Sequence, residues 1–466
     1  MDNVKSSPDN SLVAQVLIFA KAHFILVTFL AIVVRALYKR YASPLRDVPG
    51  PFLASCTRLW KVWSTYNGHT ELDHIALHKK YGPIVRTSPN EVSFGTCNAA
   101  KDIFAVGKGF HKTMFYSVFP PKHAPDIFTE VREWKHAQMK RYAVTPYSLA
   151  QMQKRSGPIE SMIMLLMEHL IKYADDSKRV CNLGNLLHYF AFDVLGEVAF
   201  SKSFGFLDAE VDIEGSIKNI DDVQWYDGIV GQIPETDILF RNNPLRPYLP
   251  FWKPEPTTMT KIAVAELEKR KKKDGTYDST GIDLLAELLR AHDGSPDKFS
   301  VQDVFSIAHG AVFAGSDSTA STMQSFFYSV LNKPDVYAKL QREVDEAQKS
   351  GQLSEIVTYA EAQKLDYFQA CLKETFRIRP AVGLGIYRNV PPEGIMIDGR
   401  YYPKGTEVAV NGWVLHRDKS IFGEDVDEFR PERWFEKDAK LMGGHLYNVS
   451  VTRSEVRQIS EVANSK

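Results

Sequence analysis

The sequence predicts a mainly α-helical fold with small β-sheets, preceded by a transmembrane helix. Three observations carry this. A mostly apolar run of 23 residues, Leu12–Val34, is long enough to cross a bilayer. Long helical patterns fill Ser300–Arg379, bounded by Pro334 and Pro380. Short β-branched segments punctuated by glycine then cluster between Gly383 and Gly412. The composition is globular: 466 residues, 44% hydrophobic, with 57 Lys+Arg against 57 Asp+Glu. That balance removes any whole-chain case for nucleic acid binding. The four cysteines, Cys56, Cys97, Cys181 and Cys371, are too scattered for a disulfide framework or a paired metal site. They read as reduced thiols of a cytosol-facing protein.

Taken in order, residues 1–11 form a polar tail and 12–34 the anchor, with Lys21 and His23 inside it. Arg35, Lys39, Arg40 and Arg46 follow, so the body is expected on the cytosolic side. Residues 35–51 make a basic and proline-rich hinge that ends in Asp47-Val48-Pro49-Gly50-Pro51, a stiff turn. The body, 52–448, is a single large domain without internal repeats. Ser300 with Asp303 marks a helix start, and that helix runs to about Asn332. Pro334 opens a second helix with Val336, Leu340 and Val344 on one face. Leu365–Arg379 is a third, stopped by Pro380. Gly399 and Gly405 sit at strand turns, and Val408, Ala409 and Val410 suit a strand. The basic run Lys269–Lys273 reads as a solvated loop. Residues 449–466 are a polar, divergent tail.

Three groups carry chemistry. The first is Ala314-Gly315-Ser316-Asp317-Ser318-Thr319, in the middle of the long apolar helix. A glycine, an acid and hydroxyls oppose helix propensity there, and such a conflict marks functional sites. Gly315 permits close approach of a flat ligand, and Asp317 can relay protons. The second is Glu374 with Arg377, three apart and on one helix face. The third is Phe429-Arg430-Pro431-Glu432-Arg433-Trp434. The three follow one another at intervals of about 55 residues.

In this order and spacing they resemble the cytochrome P-450 family of haem-thiolate monooxygenases. The similarity extends from near Pro49 to about Asn448 and is greatest to microsomal enzymes of fungal secondary metabolism, as in the His136–Ser148 segment. The resemblance implies a P-450-like fold and a haem cofactor. It implies Asp317 and Ser318, with Thr319 following, as the acid–alcohol pair that delivers protons. It implies Arg388, His136 and Lys140 as contacts of the haem propionates, with Trp134 and Arg141 as neighbours able to substitute. Ala314 and Gly315 would lie against the haem, and Phe313 and Val382 would wall the substrate pocket. Glu374, Arg377 and Arg433 would form a buried structural set. The implied partners are an NADPH-cytochrome reductase, molecular oxygen, a small apolar organic substrate and the membrane of the endoplasmic reticulum.

One departure matters. The family carries its iron-binding cysteine in a Phe-x-x-Gly-x-Arg-x-Cys-x-Gly loop shortly after the third group. Here the lead-in His445-Leu446-Tyr447-Asn448 runs into Val449-Ser450-Val451-Thr452, and no cysteine follows Cys371. The expected metal ligand is thus absent and the fold is C-terminally truncated. Two readings follow: a coding sequence interrupted at this point, or a catalytically inactive relative that acts by binding alone. His445 is a further candidate for an iron ligand.

Overall fold

Local start and stop signals set the longest body helix. Ser300 and Asp303 form a reciprocal capping box: Asp303 N donates to Ser300 Oγ at 3.2 Å, and Ser300 N to Asp303 Oδ2 at 2.9 Å. The helix then runs from Val301 to Leu331, and Pro334 opens the next one at its first turn. The computed structural model describes residues 9–105, 107–119, 125–176, 179–241, 243–245, 248 and 258–449. All of the tail but Val449 therefore lies outside the described residues.

In chain order the helices are α1 (Asp9–Tyr41), α2 (Phe52–Cys56), α3 (Leu59–Tyr66), α4 (Thr70–Tyr81), α5 (Cys97–Phe104), α6 (Glu133–Ala143), α7 (Leu149–Lys154), α8 (Ser156–Asp175), α9 (Leu183–Phe200), α10 (Phe206–Ala209), α11 (Ser216–Val230), α12 (Thr258–Lys269), α13 (Leu284–Asp293), α14 (Val301–Leu331), α15 (Pro334–Lys349), α16 (Tyr359–Ala362), α17 (Asp366–Ile378), α18 (Gly412–Leu415), α19 (Lys419–Phe422) and α20 (Ala439–Val449). The strands are β1 (Ile84–Ser88), β2 (Glu91–Phe94), β3 (His111–Lys112), β4 (Ile386–Asn389), β5 (Ile395–Ile397), β6 (Arg400–Tyr402) and β7 (Glu407–Val410). One sheet has the order β1-β2-β7-β4-β3, with β2 and β7 parallel and its other pairs antiparallel; β5 and β6 form a separate hairpin. Gly399 and Gly405 take φ of 78° and 84°, which turns there require.

The main core is helical. Phe192 of α9, Leu288 of α13 and Ile307 and Val312 of α14 are buried in one cluster. Gly315 lets α9 and α14 approach closely, because a Cβ there would meet Leu195 Cδ1 at 3.0 Å. A second core lies around the sheet, where Val92, Phe94, Val408 and Val410 pack with Tyr402.

The apolar helix α1 buries nothing against the body: Phe24, Ile25, Phe29 and Ile32 are 60–71% exposed. It is longer than the expected anchor. Its apolar candidate span is Lys21–Tyr41, so the first part of the expected hinge is helical. The physical reason is that nothing breaks the helix before Ser43-Pro44. Arg86 of β1 ties down its end, donating to Lys39 O at 2.9 Å, Arg40 O at 3.2 Å, Leu45 O at 3.3 Å and Pro89 O at 2.6 Å.

Two buried histidines, His74 and His416, and the half-buried His78 make the fold acid-sensitive. Burial lowers His74 to about 3, His78 to about 4 and His416 to about 3; the charge of Arg377 adds to the effect at His416. The unfolded chain protonates first, near 6.5, so their contribution is intact above that pH and lost as pH falls toward 4. Thermal unfolding followed by circular dichroism should show a loss of about 2 kcal/mol per histidine by pH 5. Replacing His74 with Gln should reduce that slope.

Candidate functional site

The most completely bonded polar centre is Glu374, a buried carboxylate on α17. Its oxygens accept from Arg377 Nη2 at 2.8 Å and Nε at 2.9 Å, from Arg433 Nε at 2.9 Å, from Trp434 Nε1 at 2.9 Å and from Arg430 N at 2.9 Å. All three charged side chains are 0% exposed. Arg377 also donates to the carbonyls of His416, Val426 and Glu428, and Arg433 to those of Phe422, Asp425 and Glu428. The expected trio of Glu374, Arg377 and Arg433 is thus assembled, and it holds the 416–434 loop against α17. Asp425 bonds Arg433 at 2.9 Å; burial pushes its carboxyl up, but hydrogen bonds from Arg430 and Arg433 outweigh burial and hold it at about 2.

On α14 the structure separates residues that the sequence groups. Ala314 and Thr319 are exposed, although much of the helix is buried. Ser318 Oγ donates back to Ala314 O at 3.0 Å, and Ser316 Oγ to Val312 O at 2.9 Å. The hydroxyls thus satisfy helix carbonyls, as mid-helix serines do. Asp317 is bonded elsewhere. Its Oδ1 lies 2.8 Å from His188 Nε2 on α9, and its Oδ2 accepts from Gln224 Nε2 on α11 at 2.5 Å. Burial, and then the charge of Asp317, raise the pKa of the neighbouring Asp221. A Cβ at Gly315 would point at Leu195 of α9. Phe313 packs with the helical core and stacks on His309 at 6.4 Å, and Val382 is exposed. Nothing in the sequence singled out His188 or Gln224. A polar ring within the apolar run of α9 was the available signal for His188.

The basic side chains His136, Lys112 and Arg388 come from α6, β3 and β4. The pKa of Glu133 is lowered first by a hydrogen bond from His136, against burial, and then by the charges of His136, Lys112 and Arg388. His136 Nδ1 is 3.7 Å from Glu133, and its buried Nε2 has no hydrogen-bond partner. Arg388 donates to Tyr116 Oη at 3.2 Å and to Tyr387 O at 2.9 Å. Lys140, on the same helix, has interactions of its own. Trp134 is 67% exposed beneath Arg132, and Arg141 is exposed. Lys112 and Glu133 were not foreseen.

The positive charge of these basic side chains and the open ring nitrogen of His136 fit the carboxylates at the rim of a haem. The axial position does not fit. Burial, and then nearby acids, push the thiols of Cys97 and Cys371 up to about 12, so both are neutral. Cys371 packs with Val330, 16 residues along α14 from Ala314 and so about 24 Å away along the axis. Cys56 lies on α2, and Cys181 precedes α9. His445 is buried on α20 with Lys101 and Asp418 as its charged neighbours, and α20 packs on α5, α17 and α19.

Removing the central carboxylate isolates two buried guanidinium groups. Glu374→Ala should cost about 3–5 kcal/mol in chemical denaturation. Lys339→Ala, at an exposed pair with Glu432, should cost under about 1 kcal/mol.

A family profile described as Cytochrome P450 matches residues 49–449. The cytochrome P450 monooxygenase cicH of Emericella nidulans is 32% identical over 430 residues, covering 91% of this chain and 85% of that protein. A pisatin demethylase of Fusarium vanettenii is 31% identical, covering 92% and 84%. The cytochrome P450 monooxygenase hepC of Aspergillus oryzae is 32% identical, covering 87% and 81%. With this match and the Glu374–Arg377–Arg433 centre assembled as the motif order implied, the chain belongs to the cytochrome P450 family.

Proposed function

We propose that this protein is the membrane-anchored, haem-dependent monooxygenase of a fungal secondary-metabolite pathway. It would insert one oxygen atom from dioxygen into a small apolar metabolite, with electrons from an NADPH-cytochrome reductase. The observation that carries this reading is the Asp317 region of α14: a carboxylate bonded to a titratable imidazole, next to exposed Ala314 and Thr319. That arrangement supplies a proton-exchanging acid beside an open helix face. The relatives support the reaction class, being named as monooxygenases and a demethylase. They lend no support to the inactive, binding-only reading.

Each part of the chain has a role in this proposal. The apolar helix α1 anchors the protein in the endoplasmic reticulum membrane with the 52–448 body facing the cytosol. His136, Lys140 and Arg388 hold the rim carboxylates of the haem. Asp317, Ser318 and Thr319 deliver protons toward the open face, with His188 and Gln224 fixing the Asp317 carboxylate. Phe313 and Val382 border the substrate space. Cys97 and Cys371, as buried neutral thiols, do not supply the iron's thiolate in this reading.

The test is isotopic. The protein encoded by the transcript read past the Asn448 codon is reconstituted with a microsomal reductase and offered apolar fungal metabolites under labelled dioxygen. One labelled oxygen atom per product is expected. Asp317→Asn should lower product formation about 100-fold with little change in thermal unfolding. Products without label would refute the proposal.

A further inference from the structure

We propose that a pocket at the foot of α1 binds the phosphate of an anionic phospholipid headgroup, an inference that rests on α1 lying in a membrane. The pocket has a volume of about 340 Å³ and is lined by Tyr38, Lys39, Ser43, Arg58, Pro89 and Asn90, among others. It contains two cations, a hydroxyl from Ser43 and no carboxylate of its own. Of the acids nearby, Glu235 pairs with the lining Arg58 at 2.8 Å, which leaves Lys39 as the pocket's excess positive charge, and Asp47 bonds Arg400 at 2.7 Å. The Lys39 ammonium has no hydrogen bond or ion pair among the described residues, although its charge acts on Glu235.

Behind this wall lies an uncompensated charge. The Arg86 guanidinium is fully buried and is bonded only to carbonyls, two of which belong to the lining residues Lys39 and Pro89. Its Nε has no partner. Burial, and then Arg40, lower its pKa to about 10, as expected for a cation without a counter-ion. Arg40 likewise donates to a carbonyl, that of Arg46. A buried charge of this kind is costly unless an anion comes close.

The pocket's position selects a lipid over free phosphate. It lies where the exposed apolar span Lys21–Tyr41 ends, beside Tyr38 and Tyr41, 71% and 59% exposed. Such aromatic rings mark headgroup depth. A bound headgroup there leaves its acyl chains alongside α1.

The experiment uses the full chain in nanodiscs of phosphatidylcholine mixed with phosphatidylserine, with retained lipids counted by native mass spectrometry. Preferential retention of phosphatidylserine is expected. Lys39→Gln and Arg58→Gln should each reduce it about fivefold. The double change Lys271→Gln and Lys273→Gln, in the distant basic run, should leave it unchanged. Equal retention by the Lys39 and Arg58 variants would overturn the site, and so would displacement of the lipid by inorganic phosphate at matched concentration. Flotation with pure phosphatidylcholine vesicles separates the two readings. A chain that floats but shows no phosphatidylserine preference refutes the pocket alone, whereas a chain that does not float refutes the anchor as well.

Discussion

A single carboxylate organises the part of this molecule that faces away from the sheet. Glu374 accepts from two arginines, an indole and a backbone amide, all without solvent. Burying two guanidinium groups is unfavourable unless each N–H finds an acceptor. Arg377 and Arg433 meet that demand with five different loop carbonyls between His416 and Glu428, so the 416–434 segment has little freedom to rearrange. Trp434 and Phe422 then pack with Met442 and Leu446, which seats α20 on the same centre. The polar centre thus positions the last described helix.

The same logic applies at the opposite end of the body, where a buried arginine lacks an acid. Arg86 joins α1 to the sheet through carbonyls alone. The two buried arginine sites differ in one respect. Around Glu374 charge is balanced internally, whereas at the foot of α1 the positive excess faces the region where a membrane surface would lie. Between them, α14 is held against α9 by the close approach at Gly315, and its acid is drawn toward α9 and α11.

Features set by local chemistry were legible in the sequence. The capping box at Ser300, the prolines at 334 and 380, and the glycine turns at 399 and 405 set element ends through neighbours a few residues away. Glu374 with Arg377 was legible for the same reason, as a pair three residues apart. The additional donors Trp434 and Arg430 N were not, because they arrive from about 56 to 60 residues away through an irregular loop. His188 and Gln224 were invisible for a similar reason: their meaning depends on how α9 and α11 pack on α14. Gly315 was legible as an anomaly, but its closeness to Leu195 depends on how α9 packs on α14. The far end of α1 was not legible, because basic residues continue a helix as readily as apolar ones do.

The central claim is that the upstream P450 architecture is assembled and that none of the four cysteines serves as the iron's ligand. The reduced carbon monoxide difference spectrum of the 466-residue chain, recorded after haem addition, tests it most directly. The account predicts no thiolate-type band, because Cys97 and Cys371 are buried neutral thiols and Cys56 and Cys181 lie on other elements. A thiolate-type band that disappears when one of these four cysteines is changed to serine would contradict it.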